Sequence, residues 1–186
     1  MANTNTVTNV TAGKPKKTGA IFRAPLGTTL PTSADAELDQ AFVGLGYAGE
    51  DGLTNANSPD TDVIHAWGGD PVLNIENARE DTFNFKLLEV LNVNVLKAIY
   101  GDDNVTGTLE TGITITVNAN EQPEYVWVFD MILRGGVLKR IVLPCAKISE
   151  VGEVVYGDDD AVGYDTTLLA MPDDAGNTHY EYLKAA

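Results

Sequence analysis

The side chains best suited to chemistry are few: one cysteine, Cys145, two histidines, His65 and His179, and several runs of carboxylates. Cys145 follows Pro144 inside an apolar run, where a thiol packs as a small hydrophobe rather than acting as a nucleophile. Neither histidine has a neighbouring ligand at the spacing of a metal motif, and His65, in a strand pattern beside Trp67, reads as packed or hydrogen-bonded. The Asp158-Asp159-Asp160 run, within Glu153 to Asp165, has the charge of a calcium loop but lacks the central glycine and terminal glutamate of an EF-hand, so it reads as a solvated hairpin turn. The same holds for Gly101-Asp102-Asp103-Asn104. No glycine pair follows a strand and opens a helix as a phosphate-binding loop does. Trp67 and Trp127 have rings able to stack on sugars, but both stand in apolar strand patterns, which assigns them to a core with Phe83, Phe85, Leu96 and Phe129. The expectation is therefore a protein without catalytic residues, metal or cofactor.

The elements that position these residues are mostly strands. From Glu124 to Ile148 two runs of β-branched and aromatic residues meet at Gly135-Gly136, a pair able to supply the positive φ angles of a tight hairpin. On the first arm Tyr125, Trp127, Phe129, Met131 and Leu133 share one wholly apolar face, while Val126, Val128, Asp130, Ile132 and Arg134 share a mixed one. A hairpin this long and apolar needs a larger antiparallel sheet around it. Shorter strand patterns occur at 20–24, 42–51, 62–67 (continued at 72–75 beyond Gly68-Gly69-Asp70-Pro71) and 80–88, then again at 113–117, 150–156 and 162–171. In the 80–88 stretch Phe83, Phe85 and Leu87 alternate with Thr82, Asn84 and Lys86, the period of a strand with one wet face. One helix is predicted, capped by Asn92, with Val93, Leu96 and Ile99 or Tyr100 on its apolar stripe and Gly101 as its stop. Strands at short spacing with a single helix predict a mainly β fold: two packed antiparallel sheets, as a β-sandwich or open barrel, flanked by one short helix.

Length and charge narrow the function. A chain of 186 residues buries a sizeable core as one domain, with or without extended arms. One cysteine allows no intrachain disulfide and fits a reducing compartment. No apolar run approaches a membrane span, and the polar start from Met1 to Gly13 shows no signal peptide. The chain carries 12 basic and 27 acidic residues, but Lys14, Lys16, Lys17 and Arg23 all precede the first acid, Asp35. From Ala24 onward the balance is 8 basic against 27 acidic, a formal −19. Such a surface repels phosphate, which excludes tight nucleic-acid binding while permitting nucleic acid to pass by.

The order of segments resembles a known family. It begins with Leu45-Gly46-Tyr47 and Glu50-Asp51-Gly52-Leu53, which lead to Ala66-Trp67-Gly68-Gly69-Asp70. Then come Phe83 and Phe85, Leu88-Glu89 and the helix ending Tyr100-Gly101. Last are Pro172-Asp173-Asp174-Ala175-Gly176-Asn177-Thr178 and Tyr180-Glu181-Tyr182. From about Thr18 to Leu183 this layout is similar to the major tail tube proteins of long, non-contractile-tailed bacteriophages.

The resemblance implies a structural virion protein. Its homohexameric rings would stack along a tape measure protein between tail terminator and tail tip proteins, in a tail assembled in the host cytoplasm. DNA would pass through the lumen without specific binding, and no membrane would be engaged. It implies a tail-tube β-domain over 18–171, an N-terminal arm over 1–17 expected to be flexible, and a C-terminal arm over 172–186. A long loop over 52–70, with Leu53, Asn55, Asn57, Asp60 and Asp62, would bridge successive rings. The basic residues Lys14, Lys16, Lys17 and Arg23 would dock on a neighbouring subunit, since their charge opposes that of the body. These 186 residues leave no room for the immunoglobulin-like domain that some relatives add. The competing classes are a carbohydrate- or protein-binding β-sandwich, which requires exposed aromatics on one face, and a β-scaffold hydrolase, which requires a convergent acid–base group.

Overall fold

The computed structural model describes residues 5–17 and 19–185. The first four residues of the expected N-terminal arm, Thr18 at its boundary and Ala186 at the chain's end lie outside the described residues. The protein is mainly β, with strands β1 (Gly13–Pro15), β2 (Ile21–Pro25), β3 (Val43–Gly44), β4 (Ala48–His65) and β5 (Pro71–Leu87) preceding the helix α1 (Val93–Tyr100). After it come β6 (Val105–Thr106), β7 (Thr114–Ile115), β8 (Tyr125–Leu133), β9 (Leu138–Val151), β10 (Tyr164–Ala170) and β11 (Tyr180–Lys184).

The hairpin of β8 and β9 is the spine. Its turn spans Arg134–Gly136, with both glycines at φ 84°, and Leu133 N–H donates to Val137 C=O across its mouth. Around it a nine-stranded antiparallel sheet runs β3-β2-β8-β9-β10-β5-β4. Two positions in that order are filled by collinear pairs. β1 and β2 lie end to end along one edge of β8, and β10 and β11 lie end to end along the outer edge of β9. β6 and β7 form a separate two-stranded sheet.

The two packed layers arise because the large sheet rolls over on itself. β5 is three strands away from β8, yet Phe83 stacks on Phe129 at 6.0 Å between ring centroids, and Phe85 meets Phe129 edge-on at 5.3 Å. These rings join Trp127, Leu87, Ile141, Leu143 and Leu168 in one core, closed on one side by Val95, Leu96, Ala98 and Ile99 of α1. Each such large apolar side chain removed from water contributes about 1.5–3 kcal/mol. The helix starts where Asn92 Oδ1 accepts from Asn94 N–H and stops at Gly101, whose φ of 101° no side chain takes easily.

The mixed face of β8 is also buried. Val126, Val128 and Asp130 are shielded, and so are Ala24, Ala34 and Val142. Arg140, 1% exposed, forms a bidentate pair with Asp130, Nε to Oδ1 at 2.6 Å and Nη2 to Oδ2 at 2.8 Å. Its Nη1 donates to the carbonyls of Ser33 and Ala36, which clips the 33–36 segment onto this face.

Four expectations need correction. The 42–51 strand is broken, because Gly46 at φ 74° turns the chain between β3 and β4, and Glu89 caps the turn by accepting from Tyr47 N–H. The 52–70 loop is instead β-strand over most of its length, since β4 runs to His65 and β5 starts at Pro71. The N-terminal arm is not free, because Gly13–Pro15 pairs with Met131–Leu133 of its own chain. The C-terminal tail is likewise a strand, with Tyr180–Lys184 paired to Leu138–Val142.

Candidate functional site

The feature that stands out from the body is the hairpin of β4 and β5. β10 supports β5 only from Leu87 to Asp81, so residues 71–80 have β4 as their sole neighbour in the sheet. At ~3.3 Å per residue this two-stranded ribbon projects by roughly 30 Å. Both of its faces are exposed over residues 54–80. A ribbon of this kind is marginal by itself, and it is fastened at the base. There Asp81, 1% exposed, accepts from Asn55 Nδ2 at 2.7 Å, from the Thr178 hydroxyl at 2.5 Å and from His179 Nδ1 at 2.5 Å. Burial pushes the Asp81 carboxyl up, but the three donors outweigh it and hold it below the usual carboxylate range. The His179 ring also meets Phe83 edge-on at 5.2 Å, which ties the segment before β11 to the ribbon's root.

Towards its tip the ribbon is both acidic and greasy. Between Pro59 and Ala78 there are four carboxylates, Asp60, Asp62, Asp70 and Glu76, and no lysine or arginine. Ile64 faces Leu73 across the strands, and Asp62 faces Ile75. Ile64, Leu73 and Ile75 are 41–53% exposed. At the turn, where Gly68 and Gly69 have φ of 117° and 97°, Trp67 is 107% exposed. Its expected place in the core is therefore wrong. The aromatic–glycine pattern that reads as a strand closing on a core is here the end of a ribbon.

The other expected bridge residues divide by position. Leu53 packs partly on the core opposite Phe85, and Asn55 is committed to Asp81 and the Thr82 carbonyl, so both fasten the ribbon to its own subunit. Asn57 accepts from Arg79, which also pairs with Glu76 at 2.9 Å, and Asp62 accepts from Asn77. With Asp60, these side chains are exposed on the ribbon. Phe83, Phe85, Leu96, Trp127 and Phe129 all lie in the core.

The basic residues also separate. Arg23 is 5% exposed, pairs with Asp102 at 2.6 Å and lies 4.1 Å from the centroid of the Tyr125 ring, so it is a residue of its own subunit's interior rather than of an arm. The Tyr125 hydroxyl donates to the same Asp102 at 2.6 Å, and burial together with that bond pushes its pKa up to about 12. Lys16 reaches Asp130 at 3.7 Å. Lys14 and Lys17 are exposed, beside Arg134.

Among the described residues, the histidines and the cysteine stand apart from one another. His65 is on the ribbon and His179 at its root, Cys145 is half-buried in β9, and burial followed by the charge of Glu124 pushes the thiol up. Among the described residues no group of three or more His, Cys, Asp or Glu is placed to hold a metal ion. Sequence periodicity found only the strand pieces 62–67 and 72–75 near the tip and missed the length of the ribbon, because a strand wet on both faces carries no alternation to detect. It missed the Asp130–Arg140 and Asp81–His179 pairs because 10 and 98 residues separate the partners.

The body is thus a rolled β-sheet that extends a long, acidic, apolar-tipped ribbon. The chain belongs to the phage tail tube protein family, whose pattern it matches over residues 2–186. It is thus a structural component of a phage tail. A comparison with curated proteins found no match.

Proposed function

We propose that this chain forms homohexameric rings that stack into the tail tube, with the ribbon of β4 and β5 as the joint between subunits. The observation that carries the reading is the ribbon itself, which exposes Trp67, Val72 and Leu73 at the end of a roughly 30 Å projection. Apolar side chains displayed so far from a core gain nothing until another surface covers them. The stack surrounds a tape measure protein and is closed by terminator and tip proteins, and the subunits are made in the host cytoplasm. The protein works without catalysis, nucleotide or metal. DNA slides through a predominantly acidic lumen, a reading supported by the formal charge of −19 from Ala24 onward.

The test is electron microscopy and sedimentation of the wild type beside Trp67→Asp/Leu73→Asp. The wild type should form hollow six-fold tubes, and the variant should stay folded yet remain as subunits or single rings. Full-length tubes from the variant would remove the ribbon from the joint, and a wild type that never assembles would overturn the reading. Assembled tubes should not retain duplex DNA at moderate salt. Binding with a steep salt dependence would reveal a basic lumen instead.

A further inference from the structure

We infer that the ribbon tip of one copy seats in a basic cleft of a neighbouring copy, the cleft lying against the paired β1 and end of β8 and the residues just after β1. This rests on the ribbon being the joint and identifies the surface that receives it. The cleft has a volume of about 670 Å³ and is lined by Ala12, Pro15, Ile132 and Leu133 together with Lys14, Lys16, Lys17 and Arg134. It therefore has an apolar floor and a rim of four cations, in a chain whose formal charge is −15. Among the described residues, Lys14, Lys17 and Arg134 have no acidic partner, whereas Lys16 is shared with Asp130.

The occupant follows from complementarity. It has to be acidic, partly apolar and narrow enough to lie along a strand edge. The ribbon tip has four carboxylates without lysine or arginine from Pro59 to Ala78, and exposed Ile64, Trp67, Val72 and Leu73. The acidic 153–160 segment is the rival, with exposed Val155 and Tyr156, but it is a loop on the body rather than a projection. The cleft of the ribbon's own chain contains no ribbon residue. A donor and an acceptor at different places on one chain make a heterologous contact, which propagates into rings or filaments instead of closing as a dimer. Opposite charges fix register and suppress wrong pairings, and the apolar contacts persist when salt screens the charges.

The experiment is a charge swap on the full chain. Lys14→Glu/Lys17→Glu and, separately, Asp62→Lys/Asp70→Lys change exposed side chains only, so unfolding curves should match the wild type. Each pair should raise the concentration needed for assembly by at least about tenfold. The chain carrying all four changes should recover assembly in part, because each introduced lysine can then face an introduced glutamate while Lys16 and Arg134 still face Asp60 and Glu76. Zero-length carboxylate–amine crosslinking of wild-type tubes, read by mass spectrometry, should join Lys14 or Lys17 to Asp60, Asp62, Asp70 or Glu76. If the Trp67→Asp/Leu73→Asp variant loses tubes but the four-change chain is not rescued, or crosslinks lead to Asp158–Asp160, the ribbon remains the joint and the cleft is not its seat. If neither the ribbon variants nor the cleft variant alters assembly, both readings fall.

Discussion

Replacing Asp130 by alanine should destabilise the subunit more than almost any other polar substitution. The carboxylate is 3% exposed and is bound through both oxygens by Arg140, itself 1% exposed. Once Asp130 is gone, a guanidinium remains enclosed without its counterion, an arrangement that costs about 3–5 kcal/mol. Arg140 cannot escape easily, because its Nη1 holds the Ser33 and Ala36 carbonyls at 3.1 and 2.7 Å. If it did escape, it would release the 33–36 segment, whose Ala34 is buried, adding exposed apolar surface to the loss. At about 2–4 °C per kcal/mol for a domain of this size, the melting temperature should fall by roughly 6–20 °C. Replacing both partners at once, as Asp130→Leu/Arg140→Met, should cost far less than the sum of the single changes, since no charge is left buried. Urea denaturation of the two single variants and the double, completed as a thermodynamic cycle, measures the coupling. A loss below about 1 kcal/mol for Asp130→Ala, with additive behaviour in the double, would show that water and the Ser33 and Ala36 carbonyls already satisfy Arg140.

Two further outcomes follow from the same geometry. Asp81→Asn should destabilise the ribbon's root by about 1–3 kcal/mol. The wild-type Asp81 carboxyl is held below its ordinary value, because its donors outweigh burial. Its contribution is therefore complete above the unfolded value near pH 4 and is lost as pH falls through the lower folded value. Hydrogen exchange in segment 171–179, followed as the wild type is acidified, should accelerate in that window, and the Asn variant should show no such step. Gly46→Ala should cost more than about 2 kcal/mol, since its φ of 74° disfavours a side chain and the new Cβ would fall within 1.9 Å of the Glu89 carboxyl carbon. Thermal unfolding checks this, and a shift of less than about 2 °C would show that Glu89 can move aside freely.

What the sequence determined by itself is local or strictly periodic. The β8–β9 hairpin was legible because Tyr125 to Leu133 alternates and Gly135-Gly136 can take the φ of 84° that the turn uses. The helix was legible from Asn92 and Gly101, whose capping roles depend on groups within four residues. The alternation of Phe83, Phe85 and Leu87 found the buried half of β5. In its other half a strand was readable at Val72 to Ile75, but not its union with the 80–88 strand, because these residues are all exposed and obey no core-facing period. Only the tertiary structure decided that Trp67 leaves the core, since burial belongs to what surrounds a residue and beyond Asp81 nothing supports the ribbon. The same applies to the termini: Gly13–Pro15 and Tyr180–Lys184 are too short and polar to declare themselves as strands, and they become so because β8 and β9 are longer than β2 and β10 and present unpaired edges. The arms thus close edges that β8 and β9 would otherwise leave open. Arg23 and Asp102, 79 residues apart, meet over Tyr125 for the same reason: a rolled sheet joins positions that the chain keeps distant, and no local pattern encodes such a meeting.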